Sequence, residues 1–256
     1  MMKLLTTSIA LCIGLISASG ANAALQSALG GQVVNDTDLN ITWLANANLA
    51  ATNTFGLATG VDLGPNAGVT NYGPSIIYSN GTMTWGGALK WIGAMNAANY
   101  LGHSDWRLPT TTDTGTPGCN YGYSGTDCGY NVNTATSEMA HLYSNELGNK
   151  SYVDPSGTAA QPGWGSTNTG PFSNVSSLPT TAYWSGTEDA QNIYNAWYFN
   201  FYLGWQITDV KPLGLFALAV RPGQIAAVPE PETWAMLLVG VGLVGMVVRR
   251  RKSVAS

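Results

Sequence analysis

The sequence predicts an α+β domain in which two helices pack on an antiparallel sheet and long loops join the elements. Three observations carry this. Apolar residues alternate with period two near both ends of the domain, two segments between them show helical spacing, and the stretches that connect these are rich in Gly, Asn, Thr and Ser. No internal repeat stands out, which argues against a solenoid or a propeller.

The first strands are expected at Gln32–Asn35 and Asp38–Leu44. In the second, Leu39, Ile41 and Trp43 alternate with Asp38, Asn40 and Thr42, which suits a half-buried strand. A Gly/Asn/Thr-rich connection runs from Asn46 to Gly81. Trp85, Ala88, Leu89, Ile92 and Met95 then fall at helical spacing, with Thr84 as N-cap and an end near Asn99–Gly102. A shorter helix is expected from about Ser137 to Leu147, with Met139, Leu142, Tyr143 and Leu147 on one side and Gly148 as its left-handed stop. The stretch Gly148–Thr181 has no period and reads as loop. Three closing strands are expected at Ala182–Thr187, Ala196–Thr208 and Leu215–Arg221. The middle one sets Trp197, Phe199, Phe201 and Leu203 against Tyr198, Asn200 and Tyr202, so both its faces are largely aromatic. The two ends of the domain should lie near one another.

Both chain ends carry export signals. Lys3, the apolar run Leu4–Ile16 and the small residues of Ala21-Asn22-Ala23 follow the secretory plan, so residues 1–23 are expected to leave as a signal peptide. At the other end, Pro229-Glu230-Pro231 precedes an uncharged run from Trp234 to Val248, and Arg249, Arg250, Arg251 and Lys252 follow it. The run is shorter than the roughly 20 residues a bilayer core usually takes. Its lack of charge, the Trp at its outer edge and the cations behind it still suit a membrane helix with its C-terminus inside. This tail, residues 228–256, resembles the PEP-CTERM sorting signal. The resemblance implies processing by an exosortase-type enzyme near Pro229-Glu230-Pro231, and a bacterial surface rich in exopolysaccharide.

Between the two ends, residues 24–227 make one domain. It holds five Lys and Arg against twelve Asp and Glu, a net −7 where the whole chain carries −4. An acidic domain lacks the basic footprint of nucleic-acid binding, so that class is excluded. With Cys12 in the leader, Cys119 and Cys128 are the remaining cysteines. Close in sequence and exported to an oxidising compartment, they are expected to form a disulfide around Asn120–Asp127, contributing about 2–3 kcal/mol. No His or further Cys lies nearby to make a metal or catalytic thiol site.

A series of short motifs runs through the domain: Asp36, Leu39 and Trp43-Leu44; Met83-Thr84-Trp85; Asp105-Trp106-Arg107-Leu108-Pro109-Thr110; Glu138 and Leu142; Tyr183-Trp184-Ser185-Gly186-Thr187; Ala196-Trp197-Tyr198-Phe199; and Ala219-Val220-Arg221-Pro222. Together and in this order they resemble the bacterial family of C-type-lectin-like domains named for the C-terminal domain of the collagen-like adhesin Lcl. The resemblance implies a C-type-lectin-like fold and a role in adhesion or in binding surface polymers, with no catalytic mechanism.

Asp105, Trp106, Arg107 and Arg221 read as structural: Trp106 plugs the core, and arginine presents the planar fork that suits a half-buried carboxylate pair. Glu188 and Asp189 follow a strand where a loop could offer oxygens to calcium. Against this, the Glu-Pro-Asn, Gln-Pro-Asp and Trp-Asn-Asp motifs of calcium-dependent sugar binding are absent. His103 and His141 stand apart without a third ligand, so no metal centre and no cofactor is expected from them. No nucleophile elbow or spaced carboxylate pair marks an enzyme. Tyr121, Tyr123, Trp164, Tyr202 and Trp205 are the candidate glycan contacts, because sugars present flat C–H faces to aromatic rings. The expected function is thus an exported surface or matrix protein that binds exopolysaccharide or another surface polymer. The alternative is a structural matrix protein acting by protein–protein association.

Overall fold

The computed structural model describes residues 24–66, 73–115, 126–157, 159–175 and 181–226. In chain order the elements are β1 (Leu25–Ala28), β2 (Val33–Asp36), β3 (Ile41–Leu44), α1 (Trp85–Ala97), β4 (Gly129–Tyr130), α2 (Glu138–His141), a π turn over Leu142–Glu146, β5 (Ala182–Glu188), β6 (Asn195–Asn200), β7 (Trp205–Val210) and β8 (Val220–Pro222). They form an α+β fold with two four-stranded antiparallel sheets, in the orders β1-β2-β3-β8 and β4-β7-β6-β5.

The expectation of a single sheet is therefore corrected to two. The reason lies partly in one misread segment. The alternation across Ala196–Thr208 looks continuous, but the chain turns at Phe201–Gly204 and returns as β7 beside β6. Phe201 keeps the alternation going only because it is buried against Tyr143, Tyr183 and Phe199. Gly204 makes the turn at φ +66, and an added Cβ would sit 2.8 Å from the Ser151 backbone and 2.7 Å from the Tyr143 ring. The edge of β7 opposite β6 carries the short β4, paired with Trp205 and Gln206, and β1 adds an edge to β2; neither stood out in the sequence.

β2 and β3 form a hairpin whose strands are buried at every position, rather than half-buried. The polar Thr42 is accommodated inside because its hydroxyl meets Asn35 Oδ1 and Gly223 O, each at 2.8 Å. Asn35 in turn grips the far end of the domain. Its Nδ2 donates to Ile225 O at 2.7 Å, and its Oδ1 accepts the Ile225 N–H at 3.0 Å. The first and last strands thus share one sheet, and β8 closes it against β3.

α1 starts where the sequence places it. Thr84 accepts the Gly87 N–H at 3.1 Å, and Trp85, Ala88, Trp91, Ile92 and Met95 are buried. The helix lies against β5, with Trp85 Nε1 donating to Ser185 O at 2.8 Å. α2 is capped by Ser137, which accepts the Ala140 N–H, and Gly148 stops the following turn at φ +63. Tyr143 packs on Phe199 and Phe201 at 5.3 and 5.7 Å between ring centroids, seating this segment on the second sheet. Trp43, Trp85, Trp91 and Trp184 are all fully buried at the centre. Truncating such a residue to alanine costs about 3–5 kcal/mol, so these four set much of the stability.

Among the described residues no helix is long and apolar enough to cross a membrane. The signal peptide, the apolar run 234–248, the basic end 249–252 and the residues Pro229, Glu230, Pro231, Arg249, Arg250 and Arg251 lie outside them, as do Cys119, Tyr121 and Tyr123.

Candidate functional site

The Asp-Trp-Arg motif sits where α1, α2 and β8 meet. Trp106 is buried, its indole donating to Tyr100 O at 3.1 Å, and Asn96 brackets its backbone through two bonds of 2.8 and 2.9 Å. On one side Arg107 grips Glu138 with both fork nitrogens, each at 2.7 Å, and Glu138 also accepts the Thr110 N–H. On the other, Arg221 grips Asp105 at 2.7 and 2.8 Å and holds its carboxyl below the usual aspartate range. Backbone bonds between Arg107 and Val220 tie the two pairs together. Both forks are filled by the protein's own carboxylates, so neither of these two guanidiniums is open to a ligand.

Glu188 and Asp189 are also occupied. Glu188 Oε1 accepts from Lys211 Nζ at 3.0 Å, and Lys211 is itself buried with its ammonium 4.6 Å from the Trp85 ring centroid. Asp189 Oδ1 accepts the N–H groups of Gln191 and Asn192 in a turn. A calcium ion needs six to eight oxygens, whereas one of these carboxylates already has an ammonium partner and the other caps backbone. The metal-capable group among the described residues lies elsewhere.

Three of the candidate glycan contacts come together. Trp205 stacks on Tyr130 at 5.6 Å, Tyr130 is 6.2 Å from Tyr152, Tyr152 meets Trp164 edge-on at 4.8 Å, and Trp164 meets Tyr202 edge-on at 5.2 Å. Tyr152 is exposed and the other four are half-buried. These rings form a continuous strip beside the β6–β7 turn. Sequence reading missed Tyr152 because it lies in the long loop without periodicity, and it is the ring that joins the two halves.

A second grouping was invisible in the sequence. Asp36 at the end of β2, His141 at the end of α2 and Glu146 at the end of the π turn each offer a ligand atom, and these atoms lie within 4.8 Å of one another. They form a cluster able to coordinate a metal ion. Asp36 is fully buried and accepts the Leu39 N–H at 3.0 Å and the Trp43 indole N–H at 3.3 Å. His141 Nε2 is 3.1 Å from Glu146 Oε1, and its Nδ1 is 3.1 Å from Asn145 Nδ2. Where Nδ1 accepts from that amide, the Nε2 proton faces Glu146. Burial pushes the Glu146 carboxyl up, Asp36 and Asp38 add to the shift, and His141 opposes it.

The π turn makes the meeting of His141 and Glu146 possible. In an α-helix residues five apart diverge by about 140° around the axis. A π turn bonds five residues apart, as Leu147 N–H does to Leu142 O at 3.0 Å, and so brings such residues to one side. Reading the segment at α-helical spacing pairs His141 with Asn145 and hides Glu146.

Cys128 is buried beside β4 and is disulfide-bonded. The model of the Lcl C-terminal domain matches residues 32–221, from just before β2 into β8. The model of the PEP-CTERM protein-sorting motif matches residues 227–252. No curated protein and no solved structure matches the chain. The Lcl C-terminal domain is a non-catalytic, adhesin-type domain, and the sorting motif marks an exported surface protein handled by an exosortase-type system. The match covers both arginine forks, both sheets apart from β1 and the end of β8, and the aromatic strip, so this chain belongs to the family of Lcl C-terminal domains.

Proposed function

We propose that the domain is a lectin-like module that binds exopolysaccharide or another surface polymer along the strip formed by Trp205, Tyr130, Tyr152, Trp164 and Tyr202. The observation that carries this reading is the strip itself: five contiguous rings, one exposed and four half-buried. A row of rings suits a repeating chain, because successive sugar units offer successive C–H faces. Edge-on contacts fix the rings before a ligand arrives, which lowers the ordering cost of binding. Tyr121 and Tyr123 are further candidate sugar contacts, and a disulfide between Cys119 and Cys128 closes the segment that carries them. Exosortase-type processing near Pro229-Glu230-Pro231 removes the apolar run 234–248 and the basic end 249–252, which until then hold the chain in the inner membrane. The ligand contact needs no calcium.

A pull-down of the exported chain on its host exopolysaccharide, with and without a chelator, tests the reading. Retention should persist with chelator and fall about tenfold in Trp164→Ala, a loss of roughly 1.4 kcal/mol. Retention of Trp164→Ala equal to the wild type would overturn it.

A second reading, matrix assembly by protein–protein association, is favoured by a different observation. Ile193, Tyr194, Val210 and Leu213 are exposed together, and Tyr194 and Val210 line an open hollow with Gly73 and Pro212. Concentration-dependent self-association, lost in Tyr194→Ser with glycan retention intact, would support it over the first.

A further inference from the structure

We propose that Asp36, His141 and Glu146 form a structural site for a divalent transition-series cation, of which zinc is the best fit. This goes beyond the polymer-binding reading and does not depend on it. Three features of the cluster carry the proposal.

The first is the donor set. One imidazole and two carboxylates, with their ligand atoms within 4.8 Å of one another, are donors of the types zinc takes and would fill three of its usual four positions. Calcium is disfavoured, because it seeks six to eight oxygens and an imidazole is a poor donor to it.

The second is charge. Asp36 is fully buried, the Glu146 side chain is 3% exposed, and the one ion-pair partner Glu146 has among the described residues is His141. Two buried carboxylates thus face a single imidazole, with Asp36 held in addition by the Leu39 and Trp43 N–H groups. Removing carboxylates from water is costly unless a positive group compensates, and a dication does so where one histidine cannot. Other ion pairs in the domain are balanced differently: Arg107 pairs with Glu138, and the buried Lys211 with the more exposed Glu188.

The third is the local backbone. The π turn costs regular helical bonding, and its effect is to bring Glu146 onto the His141 side. Asn145 is placed to act behind the ligand. Its carboxamide lies 3.1 Å from His141 Nδ1, and turned end for end it would accept an Nδ1 proton. That tautomer leaves the Nε2 lone pair for the ion, the arrangement in which second-shell groups usually hold a ligating histidine.

The position suits a clamp rather than a reaction centre. Asp36 ends β2 in the first sheet, while His141 and Glu146 belong to the segment seated on the second sheet through Tyr143. An ion here would fasten the two layers to each other from within.

The test uses the intact chain, stripped with a chelator and dialysed. Isothermal titration with Zn2+ should give one site per chain and a raised melting temperature, with no matching response to Ca2+. Asn145→Ala should weaken Zn2+ binding about tenfold, and His141→Gln and Glu146→Gln by more than that. X-ray absorption of the Zn2+-loaded wild type should show one imidazole among oxygen neighbours. That measurement decides the matter even if the ligand variants fail to fold. A folded wild-type chain that takes up no Zn2+, an all-oxygen shell, or undiminished affinity in folded His141→Gln would each overturn the proposal.

Discussion

Replacing Glu138 by Gln isolates what the Arg107 fork contributes to the domain. Glu138 accepts two bonds from Arg107 and one from the Thr110 N–H, all at 2.7 Å, and it opens the first turn of α2. A hydrogen bond to a charged group contributes about 1.5–3 kcal/mol, but the three share one carboxylate and do not add. The side chain of Arg107 is 35% exposed, so solvent screens part of the attraction. Gln keeps one acceptor for Thr110 while losing the charge, its interaction with the helix N-terminus and one arm of the fork. The expected cost is about 2–3 kcal/mol. For a domain of this size each kcal/mol moves the thermal midpoint by about 2–4 °C, so Tm should fall by about 5–10 °C. Urea unfolding followed by tryptophan fluorescence, run on Glu138→Gln, Arg107→Met and the double variant, gives the coupling directly. It should be about 1–2 kcal/mol. Arg107→Lys should recover less than half of it, because a point charge cannot grip both oxygens. A coupling below about 0.3 kcal/mol would show that the pair only decorates the surface, and would refute the argument.

Other expectations follow from particular residues. Asp105 is held below its ordinary value of 3.8 by the Arg221 fork; burial pushes Asp113 up, but bonds from the Ala190 N–H, the Trp197 indole and the Gly115 N–H together hold it below 3.8. Because both folded values are depressed, their stabilisation is complete above the ordinary value and is lost as pH falls through the folded ones. Unfolding free energy should therefore drop below pH 3.8, and Asp113→Asn should flatten that fall; an unchanged acid slope in that variant would contradict the assignment. Gly204→Ala forces a side chain into a left-handed turn and against Ser151 backbone, and should cost about 2 kcal/mol or more by urea titration while weakening polymer retention, because the turn carries Tyr202 and leads into Trp205. Tyr143→Phe removes the hydroxyl that donates to Lys150 O at 2.8 Å, and should lower stability by about 1 kcal/mol in the same assay, with the π turn intact by NMR.

The parts of the fold that were legible in the sequence are those whose local chemistry and tertiary role coincide. Thr84 caps, and Trp85, Ala88, Ile92 and Met95 face inward at helical spacing, so α1 was readable from its own residues. Both arginine forks announced themselves by residue type, although which carboxylate each would find depended on how α2 and β8 dock. Reading failed where packing overrides local pattern. Phe201 continues the strand alternation because the core needs a ring there, even though the backbone has already begun to turn. β2 and β3 are buried throughout, and the polar Asn35 and Thr42 are bonded there by the Gly223–Ile225 segment, which local alternation does not reveal. The Asp36–His141–Glu146 cluster needed both a departure from α-helical spacing and a partner strand from the opposite end of the domain, and neither leaves a signature in one sequence. In the aromatic strip, ring type was informative, while the linking role of Tyr152 was set by loop geometry alone.

The pairing of β3 with β8, latched by Asn35 on Ile225, ties completion of the domain to the order in which it is delivered. A chain crossing a membrane N-terminus first presents Ile41–Trp43 with an open backbone edge until Val220–Pro222 have followed. That moment comes only when the sorting motif at 227–252 is itself arriving. Molecules cut short before Val220 would keep that backbone edge of β3 unpaired, a ready template for pairing with another chain.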